Sequence, residues 1–172
     1  MREMRRNDRM ITDREEIMDV LDSCKVFRMA VHDEEGMYIV PLNFGYTYEE
    51  DVLKLYFHSA GEGRKVDALA ADPMVAIEMD TDHYLVEGPN ACSFGYLYSS
   101  IVGNGIARKL TEPEEKCAAL NCLMNHQLTR NTDNMRSFDK IEKKKYNYSD
   151  QMLAVVNVYE IVVESFTCKS RR

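Results

Sequence analysis

The stretch YFHSAGEGRKVDAL, Tyr56–Leu69, changes its period in the middle. Up to Ser59 the residues alternate, as in a half-buried strand. Leu53, Leu55 and Phe57 fall on one face; Lys54, Tyr56 and His58 fall on the other. The first face belongs in a core. The second is amphipathic and suits the lining of a ligand cleft. From about 62 to 71 the pattern is that of a short amphipathic helix. The junction holds Ser59, Ala60, Gly61, Glu62 and Gly63, followed by Arg64 and Lys65.

Small residues let backbone amides approach an anion, and a helix N-terminus offers free N–H donors. Arg64 has a planar fork for two phosphate oxygens, Lys65 a point charge, and Ser59 a hydroxyl. Read locally, the junction is either a seat for a phosphate monoester or a capped surface helix with two solvated cations. It has no GxxxxGK[ST] pattern, and its glycines lack the dinucleotide-binding spacing.

Working outward, TDRE (12–15) fits a capping box, with Thr12 as the cap of a helix over about 13–23. KVFRMAVH (25–32), MYIVPLNFGYTY (37–48) and VLKLYFHS (52–59) read as strands joined by the short turns DEEG (33–36) and EED (49–51). Short turns imply an antiparallel meander. Pro41 cannot donate to a ladder, which places it at an edge, a bulge or a ligand.

A fourth strand is expected over 73–82, a loop through HYLVEGPNAC (83–92), and a long strand over 94–110 bent at Gly103 and Gly105. A helix spans 112–128, a short helix lies near 137–145, and a closing apolar strand runs over 152–165. About six strands with three or four helices make an α+β protein built on an antiparallel barrel, which removes exposed strand edges. We read residues 1–172 as one domain.

The chain has 172 residues and a net charge of −7, which disfavours general nucleic-acid binding. No apolar run is long enough to span a membrane, and the cationic start lacks the apolar segment of a signal peptide. The five cysteines have no framework spacing, consistent with reduced thiols in a cytoplasmic protein. No metal site is expected. Asp80, Asp82 and His83 read as a loop cap, Cys122 as a core residue and His126 as a surface one.

In order along the chain stand MRRxDR (4–9), VPLNFGY (40–46), LYFHSAxEGRKxDxL (55–69), DTDHxLVEG (80–88) and CSFGYLYSSIVGNGIA (92–107). Together they resemble the pyridoxamine 5′-phosphate oxidase-like flavoproteins, and within them the 5-nitroimidazole resistance branch. The resemblance implies a split β-barrel that binds FMN, with FAD as a substitute if the pocket is open beyond the phosphate. It implies a homodimer with flavin at the interface and a small-molecule substrate.

The resemblance puts the phosphate at Ser59, Arg64 and Lys65, where Ala60 and Gly63 bring the backbone close. It puts Pro41, Leu42 and Asn43 beside the ring or ribityl chain, has Ser99 and Ser100 reach it from the long strand, and sets His58 nearby as the catalytic candidate. The implied reaction is reduction of a nitro group to an amine; the alternative is a flavin- or haem-binding protein without turnover. The chain ends VVESFTCKSRR, without the Arg-containing segment and RLxP-like tail of true pyridoxamine phosphate oxidases. Pyridoxal phosphate synthesis is therefore not expected.

Overall fold

A computed structural model of the chain describes residues 6–128 and 143–171. Strands β1 (Met10–Ile11), β2 (Val26–Asp33), β3 (Gly36–Asn43), β4 (Gly45–Glu49), β5 (Val52–Ser59), β6 (Met74–Val86), β7 (Gly95–Leu110) and β8 (Asn157–Arg171) form one antiparallel sheet. Helices α1 (Arg14–Ser23), α2 (Arg64–Ala71), α3 (Pro113–Leu128) and α4 (Asp150–Val155) flank it.

The strand order is β3-β2-β6-β7-β8-β5-β4, with β1 added to β8. The two ends of this order, β3 and β4, are separated in the chain by Phe44 alone. Laid flat, seven strands would hold those ends about 29 Å apart at ~4.8 Å per neighbour. One linking residue cannot cross such a gap, so the sheet must curl until the end of β3 meets the start of β4 at Phe44. They share no ladder, which leaves the barrel split along that seam.

This corrects the reading of 37–48 as one strand of a meander. Only the flanking hairpins pair, β2 with β3 and β4 with β5. Pro41 lies on an edge strand, as its missing N–H requires. The β4–β5 turn is a two-residue loop with Glu50 and Asp51 at φ 49 and 62, the left-handed geometry that matches strand twist.

The barrel interior is filled by Phe27, Phe44, Phe57, Leu55, Ile77 and Ile161, all fully buried. Each contributes about 1.5–3 kcal/mol by leaving water. Phe57 stacks on Tyr159 at 5.0 Å, and Phe27 meets Phe44 edge-on at 5.6 Å. Gly45 has no room for a side chain, because a Cβ there would stand 2.4 Å from the backbone nitrogen of Leu123. That close approach seats α3 on β4.

Other expectations shift at element ends. The cap of α1 is Asp13, not Thr12; its carboxylate accepts from the Glu16 amide at 3.0 Å. Strand β6 continues to Val86 rather than stopping at 82, because Tyr84, Leu85 and Val86 pair with β7. The register of β7 on β8 shifts between Asn104 and Gly105, at the expected bend. Residues 150–155 form α4 instead of starting a strand, since the Ser149 side chain caps that turn by accepting from the Met152 amide. Strand β8 in turn runs on to Arg171. Of the helix expected near 137–145, residues 137–142 lie outside the described ones, and 143–145 carry no regular element.

His126 is buried, 6% exposed, and not a surface residue. Its Nδ1 lies 2.7 Å from the Phe44 carbonyl oxygen and its Nε2 3.1 Å from that of Leu21. The ring thus ties α3 to the barrel seam and to α1. Burial pushes the His126 pKa below its ordinary value, against an opposing pull from the Phe44 carbonyl. A folded pKa below the unfolded one means that protonation favours the unfolded chain. Stability should be full above about pH 6.5, the unfolded value, and fall as pH drops beneath it. Melting curves between neutral and mildly acid pH should show this loss, and it should shrink in His126→Gln.

Candidate functional site

Strand alternation sends Ser59 inward with Phe57 and His58 outward. Ser59 is 5% exposed, and its Oγ is buried without a hydrogen-bond partner among the described residues. An unpaired buried hydroxyl costs about 1–3 kcal/mol, so a serine here is unfavourable unless something outside the chain completes it. Next to it, the Asn157 Nδ2 donates to the carbonyls of Ala60 and Gly61 at 3.2 and 3.1 Å. One side chain at the start of β8 thus holds two carbonyls of the loop.

Gly63 then caps α2 with φ +125 and ψ 164, a conformation open essentially to glycine alone. No side chain caps the helix. Its carbonyl accepts from the Val66 and Asp67 amides at 2.7 and 3.2 Å. The result is an exposed helix start beside an unpaired hydroxyl, suited to an anion.

Arg64 is already engaged. Its Nε and Nη2 donate to the two oxygens of Asp33 at 2.6 and 2.9 Å, its Nη1 lies 3.3 Å from Glu35, and its guanidinium sits 4.6 Å over the Tyr38 ring. The same bond holds the Asp33 carboxyl below its usual pKa range. Arg64 therefore ties α2 to the β2–β3 hairpin. Lys65 is half-buried and has no ion-pair partner among the described residues, which makes it the more available cation.

The remaining candidates divide between faces. Pro41 and Asn43 point outward and are exposed, whereas Leu42 turns inward against the core. The Asn43 Nδ2 donates to Gln127 Oε1 at 3.2 Å. Ser99 is buried, and its hydroxyl donates to Ser170 at 3.1 Å. Ser100 faces outward between Asp80 and Lys169. Pro41, Asn43 and Ser100 thus share the outer face of the sheet. Ser59 to Lys65 gather at the end of β5. His58 is exposed on the outer side of β5, opposite Val158.

The middle of that β5 face is partly covered. Tyr56 packs with Leu110, Ala119 and Leu120 under α3, and Lys54 pairs with Glu160 at 3.2 Å. A cavity of about 220 Å³ remains there, lined by residues that include Thr47, Tyr56, Arg108, Cys122 and Glu160. The Cys122 thiol donates to the Tyr46 carbonyl, and burial pushes its pKa up to about 11, so it is a poor nucleophile. Among the described residues no cluster of three or more His, Cys, Asp or Glu could hold a metal. None of the described helices is long and apolar enough to cross a membrane.

Sequence reading missed Asn157, Asp33 and Tyr38. Asp33 looked like a turn residue, Tyr38 like one more strand aromatic, and Asn157 part of an apolar strand. Their roles depend on contacts across 31 residues for Asp33 and 96–97 for Asn157.

A family model described as pyridoxamine 5′-phosphate oxidase matches residues 13–170. Among solved structures, one described as a candidate 5-nitroimidazole antibiotic resistance protein from Bacteroides thetaiotaomicron is similar. It is 28% identical over 94% of this chain and 86% of its own, with a TM-score of 0.73. The FAD and heme binding protein of Mycobacterium smegmatis shares the fold. It is 16% identical, over 95% of this chain and 74% of its own, with a TM-score of 0.74. So does the flavocytochrome Anf3 of Azotobacter vinelandii. It is 16% identical, over 99% and 72%, with a TM-score of 0.74. No curated protein matches the chain.

Proposed function

Because the chain belongs to the pyridoxamine 5′-phosphate oxidase family, we propose that it is a flavin-binding protein, with FMN as the flavin, that reduces small nitro compounds. The observation that carries the flavin reading is the buried, unpaired hydroxyl of Ser59 beside the open start of α2. A phosphate there completes the hydroxyl, meets the helix amides and faces Lys65. These donors fit a phosphate monoester, and Gly63 keeps the approach clear of side chains.

Each part of the chain has a task in this reading. Ser59, the α2 amides and Lys65 bind the phosphate. Asn157 fixes the loop, and Arg64 anchors the helix to the hairpin and adds positive charge. Pro41, Asn43 and Ser100 form the surface on which the ring lies, with Asn43 held by Gln127. Leu42 and Ser99 support that surface from within. His58 stands at the strand end next to the seat, placed to hold a substrate or deliver a proton. A bound flavin supplies the electron-transfer chemistry, and the protein orients it and excludes competing reactions.

The outer sheet face also supports a homodimer as the functional unit. Met37, Ile39, Met74 and Val102 are exposed on it. A second copy covering these side chains would shelter a flavin lying among them. Nitro compounds are taken as the substrate class because the similar Bacteroides protein is described as one of 5-nitroimidazole antibiotic resistance, and reduction of the nitro group is the reaction proposed for them.

Purified chain incubated with FMN is expected to retain flavin absorbance after desalting. NADH or NADPH should bleach it, and a nitroimidazole should restore it. Retained flavin without bleaching would leave a binding protein without turnover. Arg64→Ala combined with Lys65→Ala is expected to weaken FMN at least tenfold, and unchanged affinity would refute the seat. His58→Ala should leave FMN bound and slow turnover about a hundredfold, the low end of general acid–base effects. Lost flavin instead would make it a binding residue.

A further inference from the structure

Residues three apart in a regular strand project from opposite faces. Asp80 and His83 of β6 meet nonetheless: His83 Nε2 lies 2.6 Å from Asp80 Oδ2. A bulge makes this possible. The β6–β7 register shifts between Thr81 and Tyr84, and Asp82 adopts a left-handed φ of 60. Bulges of this kind re-aim side chains and gather near active sites.

The other oxygen of Asp80 is taken by Arg28 Nη1 at 2.6 Å, and the same nitrogen reaches Glu78 at 3.0 Å. Asp80 is thus fixed from one side and accepts from the imidazole on the other. A neutral imidazole has one N–H. Giving that hydrogen to Asp80 from Nε2 leaves the lone pair on Nδ1. The ring is 43% exposed and lies 6.0 Å from the Tyr96 ring.

The position of the pair matters as much as its geometry. Arg28 is the cross-strand partner of Pro41, and Asp80 is the cross-strand partner of Ser100. The chain Arg28–Asp80–His83 therefore runs between the two segments assigned above to the flavin ring. A surface ion pair that merely pins a hairpin would need neither the bulge nor this location.

We propose that His83 is a proton-exchanging residue of the ligand site on the outer sheet face, with Asp80 and Arg28 as its positioning residues. The proton moves between Nδ1 and an atom of the ligand, one bond to hydrogen breaking as the other forms. Solvent restores the imidazole. The proposal rests on the flavin reading for the identity of the ligand.

Nitrogen-15 histidine spectra of the full chain test it. At alkaline pH, His83 is expected as the Nε2–H tautomer, and Asp80→Ala or Asp80→Asn should return it to a mixture. Added FMN should shift the His83 resonances and protect its ring from diethyl pyrocarbonate. A tautomer indifferent to both Asp80 substitutions overturns the proposal, as does FMN that binds without shifting or protecting His83. Either result leaves the flavin reading standing. FMN that fails to bind the wild-type chain removes both.

Discussion

Ser59→Ala is expected to make the flavin-free protein more stable and its flavin binding weaker. The Oγ of Ser59 is buried without a partner among the described residues. Deleting it removes an uncompensated desolvation of about 1–3 kcal/mol and leaves only a small gap. The melting temperature should rise. The same deletion removes a donor to the phosphate, and hydrogen bonds to charged groups contribute about 1.5–3 kcal/mol. FMN affinity should therefore fall tenfold or more. Differential scanning calorimetry without ligand and a fluorescence titration with FMN measure the two effects. A variant that loses stability and binds FMN as before would show that the hydroxyl serves the fold alone.

Phe44→Ala should have the largest effect on the fold. Phe44 is fully buried, packs on Phe27 and His126, and is the only residue between the two edge strands of the sheet. Truncating a buried Phe costs about 3–5 kcal/mol, a large share of the ~5–15 kcal/mol that a domain possesses. Its carbonyl accepts from Gln127 Nε2 at 2.9 Å and lies 2.7 Å from His126 Nδ1, and both contacts depend on the position of the seam. Urea unfolding should show the midpoint falling sharply. If it moves little, the barrel seam is held by something other than this side chain.

The two predictions probe different links. Ser59 concerns a polar group that the fold leaves incomplete, and Phe44 the apolar closure that makes the fold.

The sequence was most informative where a local pattern repeats. Alternation over 52–59 correctly assigned Leu53, Leu55 and Phe57 to the core, because a strand's side-chain period is fixed by its backbone. The same reading located the long strand near 94–110 and the helix near 112–128. It failed where local signals compete. Residues 83–86 are rich in strand formers but precede a Gly-Pro-Asn turn, and their pairing with β7 decided the matter. Val155 and its neighbours are apolar enough for a strand, but Ser149 caps a helical turn there.

The candidate site shows the same division. The run from Ser59 to Lys65 was legible as a strand-to-helix junction carrying two cations, because its small residues, its helix start and its cations are adjacent in the chain. The partner of Arg64 was not, for Asp33 arrives through the β2–β3 hairpin. Nor was the loss of Ser99 to the interior, which follows from the phase of β7 and its bond to Ser170. His126 looked like a polar residue near a helix end, and only the packing of α3 on the seam buries it.

By itself the sequence determined which segments alternate, which helix starts are open, and which short motifs stand in which order. These are properties of the chain over a few residues, set by backbone geometry and side-chain size. The tertiary structure alone decided that the sheet rolls until Phe44 bridges its edges, that Ser59 is left unpaired, and that a bulge turns His83 back onto Asp80. Those outcomes depend on which distant strands become neighbours and in what register. No local pattern carries that information, because a shift of one residue would exchange every face.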